Sequence, residues 1–119
     1  MASLGMGNSY YDLTVEEVDR VVEKGKIGNY ALGYQTEAGF RVKYVGRSDN
    51  DLNDRIKDHI GEKESHKQFK FSYAKSVKEA FEKECNNWHD FGEDKVLKDN
   101  EYHPDKPNGT EFKCPKCGQ

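Results

Sequence analysis

The sequence predicts a small α/β (α+β) domain with three strands, two of them paired in an antiparallel hairpin, and three helices. Two alternating segments joined by a short Gly-containing turn predict a β-hairpin, and a third alternating segment follows later in the chain. Apolar residues at helical spacing, each set preceded by a Ser, Thr or Asp capping signal, predict three helices. At 119 residues the chain has room for one domain with one modest core.

The amino-acid composition and net charge limit which kinds of function the protein can have. Hydrophobic and charged residues each make up 34% of the chain, so little apolar material is spare and a metal or partner would add stability. The net charge of -3 argues against a sequence-independent DNA coat protein, because neutralising phosphates supplies most of non-specific affinity. Residues 41–83 nevertheless hold eleven Lys or Arg against eight Asp or Glu, so positive charge is concentrated there.

The location of the protein is predicted from what the sequence lacks. No apolar run approaches the roughly 20 residues of a membrane-spanning helix, and the start MASLGMGNSYY has no signal-peptide pattern. We therefore expect a cytoplasmic protein with no membrane association. Three cysteines, two of them in the CPKC motif at Cys114 and Cys117, fit metal binding in a reducing compartment.

Residues 1–12 are expected to be a flexible N-terminus, and residues 13–100 the folded domain. Its first element is an amphipathic helix over 14–24, where Thr14 and Glu17 make a capping box. Valines recur at helical spacing and should cover the sheet: Val15, Val18, Val21 and Val22.

The hairpin is predicted over 28–35 and 40–46, with turn residues 36–39 between the strands. Successive side chains point to opposite faces of a strand, so alternate residues should share a face. On this argument one face of the first strand carries Tyr30, Leu32 and Tyr34, and one face of the second carries Phe40, Val42 and Tyr44. Several phenols are thus expected to converge.

A second helix is predicted from the Ser48 and Asp51 capping signals to about residue 60, with Gly61 as its stop. Arg55 and His59 are four residues apart on this helix and share a face.

The third strand is predicted over 69–73, and a third helix runs from the Ser76 cap to about residue 91. Glu84 lies on one stripe of this helix with Ala80 and Trp88, and Cys85 lies on the next with His89. Residues 101–119 read as an irregular tail that ends in the CPKC knuckle and packs on the domain.

In order and spacing, five segments resemble the GIY-YIG nuclease family over about residues 28 to 100. They are Gly28-Asn29-Tyr30, Tyr44-Val45-Gly46, LNDRIKDHI with Arg55, AFEKE with Glu84, and Asn100. The chain departs from the family at Asn29, where an apolar residue is usual. It also has thirteen residues between Tyr30 and Tyr44, slightly more than usual, and this leaves Tyr34 as an alternative to Tyr30.

The resemblance implies the GIY-YIG fold, a small three-stranded antiparallel β-sheet flanked by helices. It also implies a metal-dependent endonuclease that hydrolyses DNA phosphodiester bonds. Glu84 would hold one Mg²⁺ or Mn²⁺, and Arg55 would bind the phosphate with its planar fork. Tyr30 and Tyr44 would orient or deprotonate water, with His59 as the alternative base.

The expected contacts to nucleic acid are Lys43, Arg47 and Asn100. From the residues alone, simpler roles stay open: an ion pair of Arg55 with Asp51, aromatic packing for the tyrosines, and a solvated carboxylate at Glu84. His66, in the loop between the second helix and third strand, is a weaker candidate base than His59, or is simply an exposed residue.

A structural zinc is a separate expectation. Cys85, His89, Cys114 and Cys117 make a complete Cys₃His set, with His103 as the competing ligand. In the alternative, Cys85 is a small core residue and the knuckle is an exposed thiol pair. The alternative function is a catalytically silent, zinc-stapled module that binds nucleic acid or protein. In either function a protein partner could supply specificity.

Overall fold

The computed structural model of the protein describes residue 6 and residues 9–37, 39–61 and 66–90. In chain order the elements are β1 (Tyr11–Asp12), α1 (Val15–Val21), β2 (Gly28–Thr36), β3 (Gly39–Ser48), α2 (Leu52–Lys57), β4 (Gln68–Tyr73) and α3 (Val77–Asp90). Asn100 and the predicted tail of residues 101–119 lie outside the described residues.

The predicted α+β class with an antiparallel sheet flanked by helices is confirmed, but the sheet has four strands where three were predicted. Its order is β1-β4-β2-β3, and every neighbouring pair is antiparallel. The additional strand, β1, pairs Tyr11 with Phe69 at one edge and lies within the stretch expected to be flexible. A strand of two residues has no alternation to detect, so the pattern could not predict it.

The helix starts follow the capping signals. The Thr14 side chain accepts a hydrogen bond from the Glu17 amide at 3.2 Å, and Ser76 accepts one from the Glu79 amide at 3.1 Å. For α2 the cap is Asp51, and Ser48 instead accepts a hydrogen bond from the Asp51 amide at 3.0 Å. Both α1 and α2 end earlier than predicted.

The two faces of the sheet are covered by different helices. On one, which we call the α2 face, α1 and α2 bury a core that includes Tyr30, Leu32 and Phe69. On the other, the α3 face, Trp88 of α3 packs with Ala31, Val42 and Val45. The central strand β2 therefore contributes buried side chains to both cores.

A bulge in β3 changes which side chains share a face. Leu32 lies opposite Tyr44, but the next residue, Gly33, lies opposite Val42, so Lys43 is the extra residue. Tyr44 consequently packs on the α2 face, whereas Val42 and Phe40 pack in the α3-face core. The prediction that Phe40, Val42 and Tyr44 share a face was wrong, because the bulge interrupts the alternation on which it rested.

Within the described residues, no helix has the length and apolar character needed to cross a membrane.

Candidate active site

Tyr30 lies at the centre of the α2 face, on the central strand, and is completely buried. Its Cα partner on β3 is Gly46, and the phenol ring lies directly over that glycine. A Cβ atom at position 46 would stand 2.5 Å from the Tyr30 hydroxyl oxygen and would also collide with Cζ. The glycine of the Tyr44-Val45-Gly46 segment is therefore required by the tyrosine of the Gly28-Asn29-Tyr30 segment.

Four ring side chains meet beside this glycine and form what we call the phenol–imidazole cluster: Tyr30, Tyr44, His59 and His66. The Tyr30 hydroxyl lies 2.7 Å from Nε2 of His59. The Tyr44 ring centroid is 6.1 Å from that of Tyr30 and 5.0 Å from that of His59. The structure thus brings together both predicted tyrosines and the predicted histidine.

His66 is the member whose role the sequence analysis left open between a weak candidate base and an exposed loop residue. It is only 4% exposed, with its ring centroid 6.0 Å from that of Tyr44 and 6.2 Å from that of His59. The exposed alternative is excluded, because the chain entering β4 folds back against the cluster. No pattern in the sequence signals that return.

Burial keeps the Tyr30 phenol protonated. It raises the pKa of Tyr30 well above the ordinary tyrosine value of about 10; the neighbouring Tyr44 raises the pKa further, and Arg55 partly offsets the rise. Tyr30 is therefore a neutral phenol near neutral pH. In that state it can donate its proton to Nε2 of a neutral His59.

Arg55 stands at the surface beside the cluster, and its side chain is 48% exposed. Its pKa is raised, chiefly by electrostatic interaction with Tyr30, while desolvation opposes the rise. Its ion-pair partner is Asp58, at 3.9 Å from Nη1, and not the Asp51 that the spacing alone allowed. A pair this long and exposed is weak, so the guanidinium fork is available to a ligand.

Glu84 lies on the α3 face, where it contacts Arg47 of β3. Nη1 of Arg47 is 2.5 Å from Oε1 of Glu84, and Nε of Arg47 is 2.8 Å from Oδ1 of Asp49. The side chains of Arg47 and Glu84 are only 12% and 11% exposed, and the guanidinium also lies over the Phe81 ring at 5.2 Å. Arg47, expected at a nucleic-acid surface, is thus held by two carboxylates.

The two parts of the site influence each other electrostatically although they lie on opposite faces of β3. Burial raises the pKa of Glu84 to about 7, with Arg47 and Arg55 both opposing the rise. The charge of Glu84 in turn raises the pKa of Tyr30. The Tyr30 ring lies over Gly46 of β3, and Glu84 binds Arg47, the next residue of the same strand, on its other face.

The carboxylates of Glu84 and Asp49 fit a hard divalent cation in their chemistry. Both already converge on one positive group, and carboxylate oxygens are the ligands that Mg²⁺ prefers. Across the part of the chain that the structure describes, no three His, Cys, Asp or Glu side chains are grouped as metal ligands. A cation at Glu84 would therefore depend on ligands from the substrate and on movement of Arg47.

Only part of the predicted zinc set can be placed. Cys85 is completely buried against Phe81, and His89 follows one turn later on α3. Cys114, Cys117 and His103 lie outside the described residues. Of the other expected contacts to nucleic acid, Lys43 is the half-buried bulge residue of β3.

A row of polar residues across the sheet also escaped the sequence analysis. We call Ser72, Asn29 and Arg47 the polar rung, because Asn29 on β2 is the Cα partner of both Ser72 on β4 and Arg47 on β3. Each contacts α3: Lys83 donates to Ser72 at 2.7 Å, Asn29 donates to the Ala80 carbonyl at 2.9 Å, and Arg47 binds Glu84.

The only sequence signal for the polar rung is a polar residue, Asn29, within a predicted strand. Its hydrogen bonds to α3 join residues that are 11 to 51 positions apart in the sequence, so no local pattern predicts them.

No protein-family model, curated protein or solved structure matches this chain.

Proposed function

We propose that this protein is a metal-dependent endonuclease that hydrolyses DNA phosphodiester bonds, as its resemblance to GIY-YIG nucleases implies. The observation that carries the proposal is the grouping of three kinds of catalytic group around β3. An exposed guanidinium at Arg55, a phenol–imidazole pair at Tyr30 and His59, and a buried carboxylate at Glu84 lie within electrostatic range of one another.

Arg55 is the residue proposed to bind the scissile phosphate. Its half-exposed guanidinium has one weak ion pair and stands beside the cluster. A planar fork can bind two phosphate oxygens and offset the charge that builds on them in the transition state. A lysine could not reproduce both hydrogen bonds.

Tyr30 and His59 are proposed to move the proton of the attacking water. A buried phenolate is costly, as the raised pKa of Tyr30 indicates. The cost is avoided if Tyr30 passes its proton to Nε2 of His59, 2.7 Å away, while its oxygen accepts the proton that water loses. Tyr44 is half-buried, with its ring stacked on Tyr30 and tilted against His59, so it would border that water.

Glu84 is proposed to hold Mg²⁺ or Mn²⁺, with Asp49 as a second carboxylate on the same guanidinium. When bound, the ion would stabilise negative charge on the phosphate as a Lewis acid. Arg47 must then leave Glu84, which frees its guanidinium for the DNA backbone. A structural zinc on Cys85, His89, Cys114 and Cys117, or His103, completes the proposal and is tested by metal analysis of the purified protein.

The decisive experiment is cleavage of supercoiled plasmid and branched DNA with Mg²⁺ or Mn²⁺. We expect Glu84→Gln and Arg55→Ala each to lower the rate by about 100-fold or more, while circular dichroism stays unchanged. Arg20→Ala is the matched control, because Arg20 is also an exposed helical arginine in an i,i+3 ion pair. Undiminished cutting by Glu84→Gln would reject the proposal.

One observation favours a second candidate, a catalytically silent module that binds nucleic acid or protein. The Arg47–Glu84 pair neutralises both charges inside the fold, so Glu84 has a structural role that needs no metal. Such a module predicts DNA affinity that is independent of divalent cations and yields no product. Binding to a protein partner without any DNA affinity would favour the protein-binding form.

A further inference from the structure

Asn29 is a polar residue that is fully buried within the β-sheet. It lies on the central strand with no exposed surface, and its Nδ2 donates to the Ala80 carbonyl of α3 at 2.9 Å. Its Oδ1 has no hydrogen-bond partner among the described residues. A buried acceptor without a partner costs free energy, so stability alone does not explain an asparagine at this position.

We propose that Asn29 is a positioning residue, which fixes the turn of α3 that carries Glu84. Ala80 precedes Glu84 by one helical turn, and in an α-helix the Glu84 amide donates to the Ala80 carbonyl. Asn29 therefore binds the same carbonyl oxygen that anchors the Glu84 backbone. Rotation or sliding of α3 by one residue would break this hydrogen bond.

The position of Asn29 on the polar rung supports this role. Its Cα partner on β3 is Arg47, so two neighbouring residues of the sheet bind residues on consecutive turns of α3. Asn29 holds the Ala80 carbonyl, and Arg47 holds the Glu84 carboxylate. Apolar contacts are not directional and would leave the rotation of the helix poorly defined, whereas a hydrogen bond fixes it.

The inference rests on the proposed function only for its catalytic consequence, which is that a misplaced Glu84 binds a divalent cation less well. The positioning itself can be read in the metal-free protein. Asn53 provides a matched control, because it is 1% exposed, donates from Nδ2 to the Val22 carbonyl at 2.8 Å, and also has an unpartnered Oδ1 among the described residues. It belongs to α2 and contacts α1.

The test compares Asn29→Leu with Asn53→Leu by NMR of the Arg47 guanidinium protons. In the parent protein these protons should exchange slowly with water, because they are bound to Glu84 and Asp49. Losing one hydrogen bond of typical strength should speed their exchange by about fivefold or more in Asn29→Leu. Asn53→Leu should leave that exchange unchanged.

A second measurement follows Mn²⁺ affinity by electron paramagnetic resonance in the presence of a short DNA duplex, which supplies phosphate ligands, with the Mn²⁺ bound by the DNA alone subtracted. Asn29→Leu should weaken it by about fivefold and Asn53→Leu should not. Unchanged Arg47 exchange in Asn29→Leu, or equal effects of the two variants, would overturn the positioning role. Absence of Mn²⁺ binding and of cleavage by the parent would reject the proposed function, yet the NMR comparison would still decide the role of Asn29.

Asn29→Ala adds no bulk and replaces Asn29→Leu if the larger side chain prevents folding. Should both Asn29 variants fail to fold while Asn53→Leu folds, Asn29 is a residue required for stability and the positioning role is rejected.

Discussion

The guanidinium of Arg47 lies 2.5 Å from the carboxylate of Glu84 in the interface between β3 and α3. Both side chains are largely buried, so each charged group has lost most of its contact with water and interacts with the other group instead. Removing one partner from a buried ion pair leaves the second without compensation, which is more costly than removing both.

Arg47→Met should therefore lower the free energy of unfolding by about 3 kcal/mol at pH 8, measured by urea denaturation. The double variant Arg47→Met with Glu84→Gln should recover part of that loss, because no charge remains buried. An equal or larger loss in the double variant would show that packing of Arg47 over Phe81, and not the ion pair, dominates the effect.

Stability should depend on pH through Glu84. Its pKa is about 7 in the folded protein against an ordinary value of 4.5, so the folded state binds this proton more tightly than the unfolded state. The stabilising contribution is complete below about pH 4.5 and is lost as pH rises through about 7. Relative to Glu84→Gln, the parent should lose about 1 to 3 kcal/mol between pH 4.5 and pH 8.

Thermal or urea unfolding at several pH values checks this prediction, with Glu84→Gln providing the baseline from all other groups. A parent that gains stability relative to Glu84→Gln over the same range would contradict it, because that sign requires a lowered pKa at Glu84.

Tyr30→Phe removes the buried hydroxyl that forms a hydrogen bond with His59. We expect a loss of about 1 to 2 kcal/mol in the free energy of unfolding and a large fall in the cleavage rate. Tyr73→Phe is the matched control, because its hydroxyl accepts from the Glu23 amide at 3.0 Å but the residue is 44% exposed. Equal rates for the two variants would remove Tyr30 from the proposed proton transfer.

Gly46→Ala should be strongly destabilising because its new methyl group would collide with the Tyr30 ring. Overpacking of this kind costs about 1 to 3 kcal/mol and should displace Tyr30 from His59. The same substitution in a Tyr30→Leu background should cost much less, which a double-mutant cycle of urea denaturation measures. Additive costs would mean that the backbone of β3, and not Tyr30, resists the methyl group.

Local signals predicted most of the fold. The caps at Thr14 and Ser76 and the alternation of β2 and β4 each depend on residues close in sequence, so their positions could be predicted to within a few residues. The face assignment failed at Lys43, since a bulge is defined by the partner strand.

The candidate site divides in the same way. Tyr30, Tyr44, Arg55 and His59 could be selected from motif order, and the structure places them together. The role of Arg47 could not, because its contact with Glu84 spans 37 positions and depends on which face of β3 it occupies. Burial of His66 likewise depends on a chain return that no periodicity records.

The bulge at Lys43 allows β3 to contain one more residue than the part of β2 with which it pairs. One residue of extra length is absorbed between Val42 and Tyr44, so the half of β3 that carries Tyr44 and Arg47 keeps its register with β2. The tip of the hairpin can therefore be shortened or extended while the two tyrosine rings stay 6.1 Å apart. Loop grafting at residues 36–39 could thus give this scaffold a new recognition surface without disturbing the chemistry below it.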